Sequence, residues 1–65
     1  MKIVKIISSV GNVYQIGFYI GNYKTSPKVI EIGWSANDGY FVLLEEKGEK
    51  TKVYLNSPSE VWQIE

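Results

Sequence analysis

The sequence predicts an all-β protein, a small antiparallel barrel of about five or six strands formed by residues 1–65 as a single domain. Apolar residues recur with a period of two along most of the chain, which is typical of strands. No window has the 3.6-residue apolar stripe of an amphipathic helix. Sequences that favour tight turns separate the apolar windows, and because a closed barrel leaves no sheet edge exposed, such a series of hairpins favours a barrel.

The strand windows are of two kinds. In VYQIGFYI (13–20) and KVIEIGWSA (28–36) apolar residues alternate with polar or small ones, which indicates half-buried strands. In KIVKIISSV (2–10) and YFVLLEE (40–46) they occupy both faces, which suits strands covered on two sides. Two shorter windows, TKVYLN and VWQIE, complete the set. The residues predicted to face the core are Tyr14, Ile16, Phe18, Ile20, Ile30, Ile32, Trp34, Phe41, Val53, Leu55, Trp62 and Ile64.

Turn sequences separate the predicted strands. Gly11 followed by Asn12 places glycine at the first central position of a two-residue type II′ turn. Residues 37–39 suit a three-residue hairpin loop with Gly39 in the left-handed conformation, and residues 47–48 form a further hairpin tip. The sequence therefore predicts antiparallel neighbours at all three places.

The segment NSPSEVWQIE, near the end of the sequence, contains the signals of a helix start. Ser57 is a favourable N-cap, Pro58 suits the first helical position, and Glu60 completes a capping box. Because few residues follow, we expect a single 3₁₀ turn at residues 58–60 before the last strand.

Residues 38–65 resemble the second half of an SH3-like barrel. They have an aromatic pair at 40–41 that opens a strand, a charged distal hairpin, a further strand, a Pro-Ser step at 58–59 and a closing strand. The first half has no ALYDY-like motif, and Val61 stands where the family has tyrosine. The resemblance therefore implies the fold and a binding role, but not the recognition of proline-rich peptides.

The composition argues against catalysis and against a bound cofactor. The chain has no cysteine and no histidine, so a disulfide, a zinc site and a Cys/His catalytic pair are not expected. The neighbouring Glu45 and Glu46 would point to opposite faces of a strand instead of converging as an acid/base pair. We therefore expect a protein that is not an enzyme, with no metal and no cofactor.

Charge and hydropathy bear on partners and location. The formal net charge is zero and arginine is absent, which disfavours a nucleic-acid partner. The apolar N-terminal region is interrupted by lysines and a turn well short of the roughly 20 residues needed to span a bilayer. It also lacks the continuous apolar region of a signal peptide. We expect a cytoplasmic protein that does not bind membranes.

Tyrosines and lysines are the candidate binding residues. The segment GNYKTSPK (21–28) is longer than a tight turn requires, and loops with spare length on rigid scaffolds often hold function. Tyrosines placed outside the core next to lysines can stack on a ligand or anchor a protein interface. The predicted site residues are Tyr19, Tyr23, Lys24, Lys28, Lys52 and Tyr54.

These features predict a non-catalytic binding module, with a protein partner as the leading hypothesis: an adaptor subunit, or a small inhibitor of a larger protein. A small barrel that binds single-stranded nucleic acid is one alternative. A structural subunit that self-assembles, of phage, virus or plasmid origin, is another. Because the first and fourth strands carry apolar residues on both faces, we also expect a two-fold homodimer.

Overall fold

The computed structural model describes residues 2–22 and 24–65, and within them it contains six β-strands and one 3₁₀ helix. In chain order the elements are β1 (Lys2–Ile7), β2 (Val13–Gln15), the 3₁₀ helix (Ile20–Asn22), β3 (Lys28–Ser35), β4 (Gly39–Glu46), β5 (Glu49–Leu55) and β6 (Glu60–Ile64). The prediction of an all-β protein is confirmed. None of the helical structure in these residues is long and apolar enough to cross a bilayer.

The strands of the described residues form two antiparallel sheets of three strands, in the orders β2-β1-β6 and β3-β4-β5. The sheets are connected near the start of β3. There the Gly17 N–H donates to the Val29 carbonyl (2.9 Å), and the Val29 N–H donates to the Phe18 carbonyl (3.0 Å). Closure of the two sheets into a barrel stays a prediction.

A bulge determines the buried face of β1. Its pairing with β6 changes register between Ile3 and Lys5, so Val4 is an extra residue in the ladder. A bulge of this kind shifts the alternation of side chains by one residue. Ile3 and Ile6, which strict alternation would place on opposite faces, are consequently both buried.

The strands β3 and β4 supply most of the remaining buried residues. β3 has a similar register shift between Val29 and Glu31, so Val29 and Ile32 are both buried. β4 alternates regularly, and its Val42 and Leu44 face the core. Leu43, which lies between them on β4, therefore points to the opposite face of the sheet and is partly buried.

One hydrophobic cluster with residues from both sheets forms the core of the described chain. Its buried members are Ile3, Ile6, Tyr14, Val29, Ile32, Val42 and Leu44. The partly buried residues packed against them are Ile16, Ile20, Tyr40, Val53, Leu55 and Val61.

Phe18 and Trp34, both predicted in the core, are instead 53% and 60% exposed. The predicted strand of residues 13–20 ends early because the chain turns at Gly17, which has a φ of 88°. Phe18 lies after this turn and leaves the alternation of β2. Trp34 is paired with Tyr40 next to the β3–β4 turn, where the sheet ends, so its side chain extends past the buried cluster.

Trp62 and Ile64 were also predicted to face the core, and this prediction is wrong. Val61 lies opposite the fully buried Ile6 and packs against the core, so β6 turns its other face outward. Trp62 is 50% exposed and Ile64 is 53% exposed.

The hairpin turns lie at the predicted positions or within one residue of them, with one difference in type. Between β1 and β2 the Gly11 N–H donates to the Ser8 carbonyl (3.0 Å), and Gly11 has a φ of 91°. Glycine is therefore the last residue of a longer loop and not the first central residue of a two-residue turn. Gly39 is left-handed as predicted (φ 81°), but it begins β4 and pairs with Ser35, so the loop consists of residues 36–38 instead of 37–39. Lys47 and Gly48 (φ 51° and 81°) form a two-residue type I′ tip.

The residues before β6 form a bend, and the predicted 3₁₀ turn at residues 58–60 is wrong. Ser57 has a φ of 49°, whereas an N-cap residue has an extended backbone. The Ser59 N–H donates to the Ile7 carbonyl (2.9 Å), and the Ser59 hydroxyl also donates to this carbonyl (3.2 Å). The Ser-Pro-Ser sequence thus directs β6 onto the end of β1.

Candidate functional site

The solvent-facing side of the β3-β4-β5 sheet, here called the outer face, carries part of the predicted site. Its residues follow from the register of β4 with its two neighbours. From the β4–β5 tip inward, the rows are Lys28-Glu45-Lys50, Glu31-Leu43-Lys52 and Gly33-Phe41-Tyr54. Aromatic groups therefore occupy one end of the outer face, and charges of both signs occupy the other.

The ring of Phe41 lies directly over Gly33. A Cβ atom added to Gly33 would overlap this ring and would lie 2.7 Å from its Cε1 atom. The Lys52 Nζ is 4.6 Å from the centroid of the same ring, a cation–π distance. Tyr54, opposite Phe41 on β5, is 52% exposed. The outer face thus presents an accessible aromatic ring beside a positioned cation.

A groove of about 480 Å³ lies beside the outer face, between the segment that precedes β3 and the β4–β5 tip. Its lining includes Tyr19, Lys24, Lys28, Glu45 and Lys47. Tyr19 is held there by a bridge to Lys28. Because Lys28 and Glu45 belong to both the groove and the outer face, the two form one continuous surface.

The structure divides the predicted site residues between these two parts. Those in the groove are Tyr19, Lys24 and Lys28, and those on the outer face are Lys28, Lys52 and Tyr54. Tyr23 lies outside the described residues.

Sequence reasoning assigned Phe41 to the core and did not assign Leu43 to the site. Apolar residues on both faces of β4 give no signal of which face is buried, so alternation alone could not orient the strand. Gly33 is a signal that was available. Glycine inside a strand often marks the close approach of another group, and here that group is the Phe41 ring.

A second exposed apolar surface lies on the β2-β1-β6 sheet. Trp62 and Ile64 alternate outward along β6, and Val13 is exposed on β2. The Lys5 Nζ is 4.5 Å from the centroid of the Trp62 ring. This surface contains none of the predicted site residues.

The chemistry available at the candidate site is that of binding. Across residues 2–22 and 24–65, no group of histidine, cysteine, aspartate or glutamate residues is able to hold a metal ion. Glu31 and Glu45 lie in different rows of the outer face, each in a row that also contains lysine. The outer face offers aromatic contact and ion pairing to a ligand.

Comparison of the chain with protein-family models, curated proteins and solved structures found no match. A functional proposal therefore depends on the geometry of the described residues.

Proposed function

We propose that this protein is a non-catalytic binding module and that its outer face binds another protein. The observation that supports this proposal is the composition of the outer face, where an exposed tyrosine and a partly buried aromatic ring lie next to charges of both signs. Protein interfaces combine these elements, with an aromatic or apolar centre and a polar rim.

Tyr54 is the central contact of the proposed interface. Tyrosine is enriched among the residues that dominate binding energy, because it buries a large apolar area and keeps a polar end. Phe41 supports it from the neighbouring strand, and the Lys52 ammonium group lies over the Phe41 ring. A partner side chain that packs on Tyr54 would extend this aromatic surface.

The charges of the outer face favour a protein over a polyanion. Lys50 and Lys52 lie on the β5 side, Lys28 and Glu31 lie on the β3 side, and Glu45 lies on β4 between them. A protein surface can match this mixed arrangement with groups of both signs. A nucleic-acid backbone is negative throughout, so Glu31 and Glu45 would repel it.

We also propose that the scaffold is the SH3-like barrel that residues 38–65 resemble. The order of the β4–β5 hairpin, a short connection and a last strand that pairs with the first agrees with this resemblance. In this scaffold the segment before β3 would extend the binding surface, with Tyr19 and Lys24 at the end of the outer face.

Binding of single-stranded nucleic acid is the second candidate, and one observation favours it. Lys28, Lys50 and Lys52 share the outer face with Tyr54 and Phe41, and lysines beside stacking aromatics are typical of single-strand binding sites. The two glutamates on the same face and the zero net charge make it the weaker proposal.

Affinity capture with immobilised protein variants tests the proposed function. We expect a protein partner from the source cells to be retained by the wild type and lost by a Lys52→Ala/Tyr54→Ala double variant. The matched control is Lys5→Ala/Val13→Ala, which removes a lysine and an exposed apolar side chain from the other sheet and should retain the partner. Calorimetry with the purified partner should then show at least about a ten-fold loss of affinity for the first double variant.

Equal retention of the partner by both double variants would contradict the placement on the outer face. Fluorescence anisotropy with single-stranded DNA and RNA at low salt separates the two candidates. We expect that the wild type binds neither single-stranded DNA nor single-stranded RNA. Tight binding that Lys52→Ala/Tyr54→Ala abolishes would replace the protein partner with a nucleic acid.

A further inference from the structure

The outer strands of the two sheets differ in how their free edges are protected. A free edge exposes unpaired backbone groups that can pair with another strand. In the described part of the chain, the edges formed by β2 and β5 are protected, and the edge formed by β3 is protected at its start. β2 has only three residues. The start of β3 is covered by residues 17–20, and β5 carries Lys50 and Lys52, charges that oppose pairing with another copy of the same strand.

β6 is the remaining edge, and it lacks these protections. It has five residues, none of which is lysine or proline. Two of its side chains, Trp62 and Ile64, are large, apolar and half exposed. Among the described residues it pairs with β1 alone. An edge of this kind is suited to pairing with a further strand.

The backbone of β6 has groups available for such pairing. The Ile7 carbonyl accepts hydrogen bonds from the β6 side, and the direction of bonding alternates along an antiparallel ladder. Glu60 and Trp62, opposite Ile7 and Lys5, therefore bond toward β1. The next residues along, Val61 and Gln63, direct their N–H and C=O groups to the free edge.

We propose that β6 pairs antiparallel with β6 of a second copy of the chain, around a two-fold axis beside Trp62. Val61 of each copy exchanges backbone hydrogen bonds with Gln63 of the other copy. The two Trp62 side chains lie opposite each other on the solvent-facing side. The β2-β1-β6 sheets of the two copies become one continuous sheet.

Charge complementarity favours a second copy as the occupant. In this register Glu60 lies opposite Ile64 of the second copy, and that Ile64 is itself paired with Lys2. A carboxylate and an ammonium group of opposite copies thus lie on either side of Ile64, two strands or about 10 Å apart at their backbones, at each end of the interface. Within one chain, Lys2 and Glu60 lie at opposite ends of the β1–β6 ladder and cannot form this pair. The equivalent pairing of β5 would place Lys52 opposite Lys52, which is repulsive.

This interface goes beyond the proposed function, because it uses the other sheet and leaves the outer face free. An experiment can therefore refute the proposed dimer without refuting the proposed partner site, and the reverse also holds. The interface would also use the exposed apolar groups of β6, which the monomer leaves in water.

Sedimentation equilibrium of the full chain from micromolar to millimolar concentration tests the proposal. We expect a dimer for the wild type and a monomer for Gln63→Pro, because proline removes a donor from the free edge and leaves the bonds to β1 in place. The matched control is Lys50→Pro on β5, which should remain dimeric. Circular dichroism establishes that each variant is folded.

A charge exchange provides a second test that does not alter the backbone. Glu60→Lys places a lysine near Lys2 of the second copy, and we expect the dimer dissociation constant to rise about ten-fold. Adding Lys2→Glu to this variant reverses both charges and should restore most of the affinity.

Two results would overturn the proposal. If the wild type remains monomeric at every concentration, a second copy of the chain does not pair with the β6 edge. A dimer that withstands both Gln63→Pro and Glu60→Lys must form through a different surface.

Discussion

The position of the Phe41 ring explains why residue 33, inside a strand, is glycine. Gly33 lies inside β3, where glycine normally weakens a strand because it has no side chain to pack. In this protein the Phe41 ring from β4 occupies the space that a Cβ atom would fill. The contact covers part of an aromatic ring that would otherwise be exposed on the outer face.

We predict that Gly33→Ala destabilises the fold by about 1–2 kcal/mol, because the new methyl group displaces the Phe41 ring from its position beside Lys52. Urea denaturation measures the change. In a Phe41→Leu background the same substitution should cost less than about 0.5 kcal/mol, since the ring is no longer present. Equal costs in the two backgrounds would show that Gly33 is needed for another reason.

Ser57 illustrates a local conformation that its residue type does not favour. Its φ of 49° is in the left-handed region, which costs a residue with a side chain about 1 kcal/mol relative to glycine. We predict that Ser57→Gly raises the free energy of unfolding by about 0.5 kcal/mol, and that Ser57→Ala does not raise it.

Thermal denaturation of the two Ser57 variants is the measurement. If Ser57 acted as a helix N-cap, glycine would cost a few tenths of a kcal/mol instead of stabilising. A lower melting temperature for Ser57→Gly would therefore support the N-cap interpretation and contradict the positive φ.

At the level of the elements, β5 is an edge strand whose lysines belong both to the proposed partner site and to the protection of the edge. Lys50 and Lys52 project on the outer face, where we place the partner site, and they also discourage edge-to-edge pairing. The apolar residues Val53 and Leu55 pack against the core from the other side of the strand.

We predict that Lys50→Thr/Lys52→Thr produces open-ended association, because a second unprotected edge allows each molecule to pair on two sides. Light scattering and thioflavin T fluorescence over hours are the measurements. The control is Lys24→Thr/Lys28→Thr, which lowers the net charge equally but lies outside β5. Aggregation of both double variants to the same extent would indicate a general loss of charge repulsion.

The elements also show where pattern reasoning succeeds and where it fails. The β4–β5 hairpin was predicted correctly at its tip because a charged turn with glycine is a local signal. The bulge at Val4 depends on pairing with the distant β6, the bulge at Ile30 depends on the register with β4, and each shifts the alternation that the prediction used. Alternation remained reliable for Tyr54, since β5 has no such shift.

For the molecule as a whole, the all-β class could be predicted, whereas the exposure of three large aromatic residues could not. Assigning Phe18, Trp34 and Trp62 to the core assumed that large aromatics fill the interior. The core of this chain consists mainly of Ile, Val and Leu. Phe18, Trp34 and Trp62 are instead half exposed. Lys28, Lys52 and Tyr54 do share one face, but the residues that complete it depend on the register of three strands.

The pairing of Lys2 with Ile64 has a consequence for the order in which the chain acquires its structure. The entropic cost of joining two segments grows with the length of chain between them, and the β4–β5 hairpin closes over a two-residue tip. That hairpin can therefore form within microseconds, whereas β1 and β6 must wait until the chain between them is ordered. The other neighbour of β1 is β2, and the ladder between these two strands is short. During translation β1 therefore emerges before the other five strands and lacks its main partner until β6 has left the ribosome.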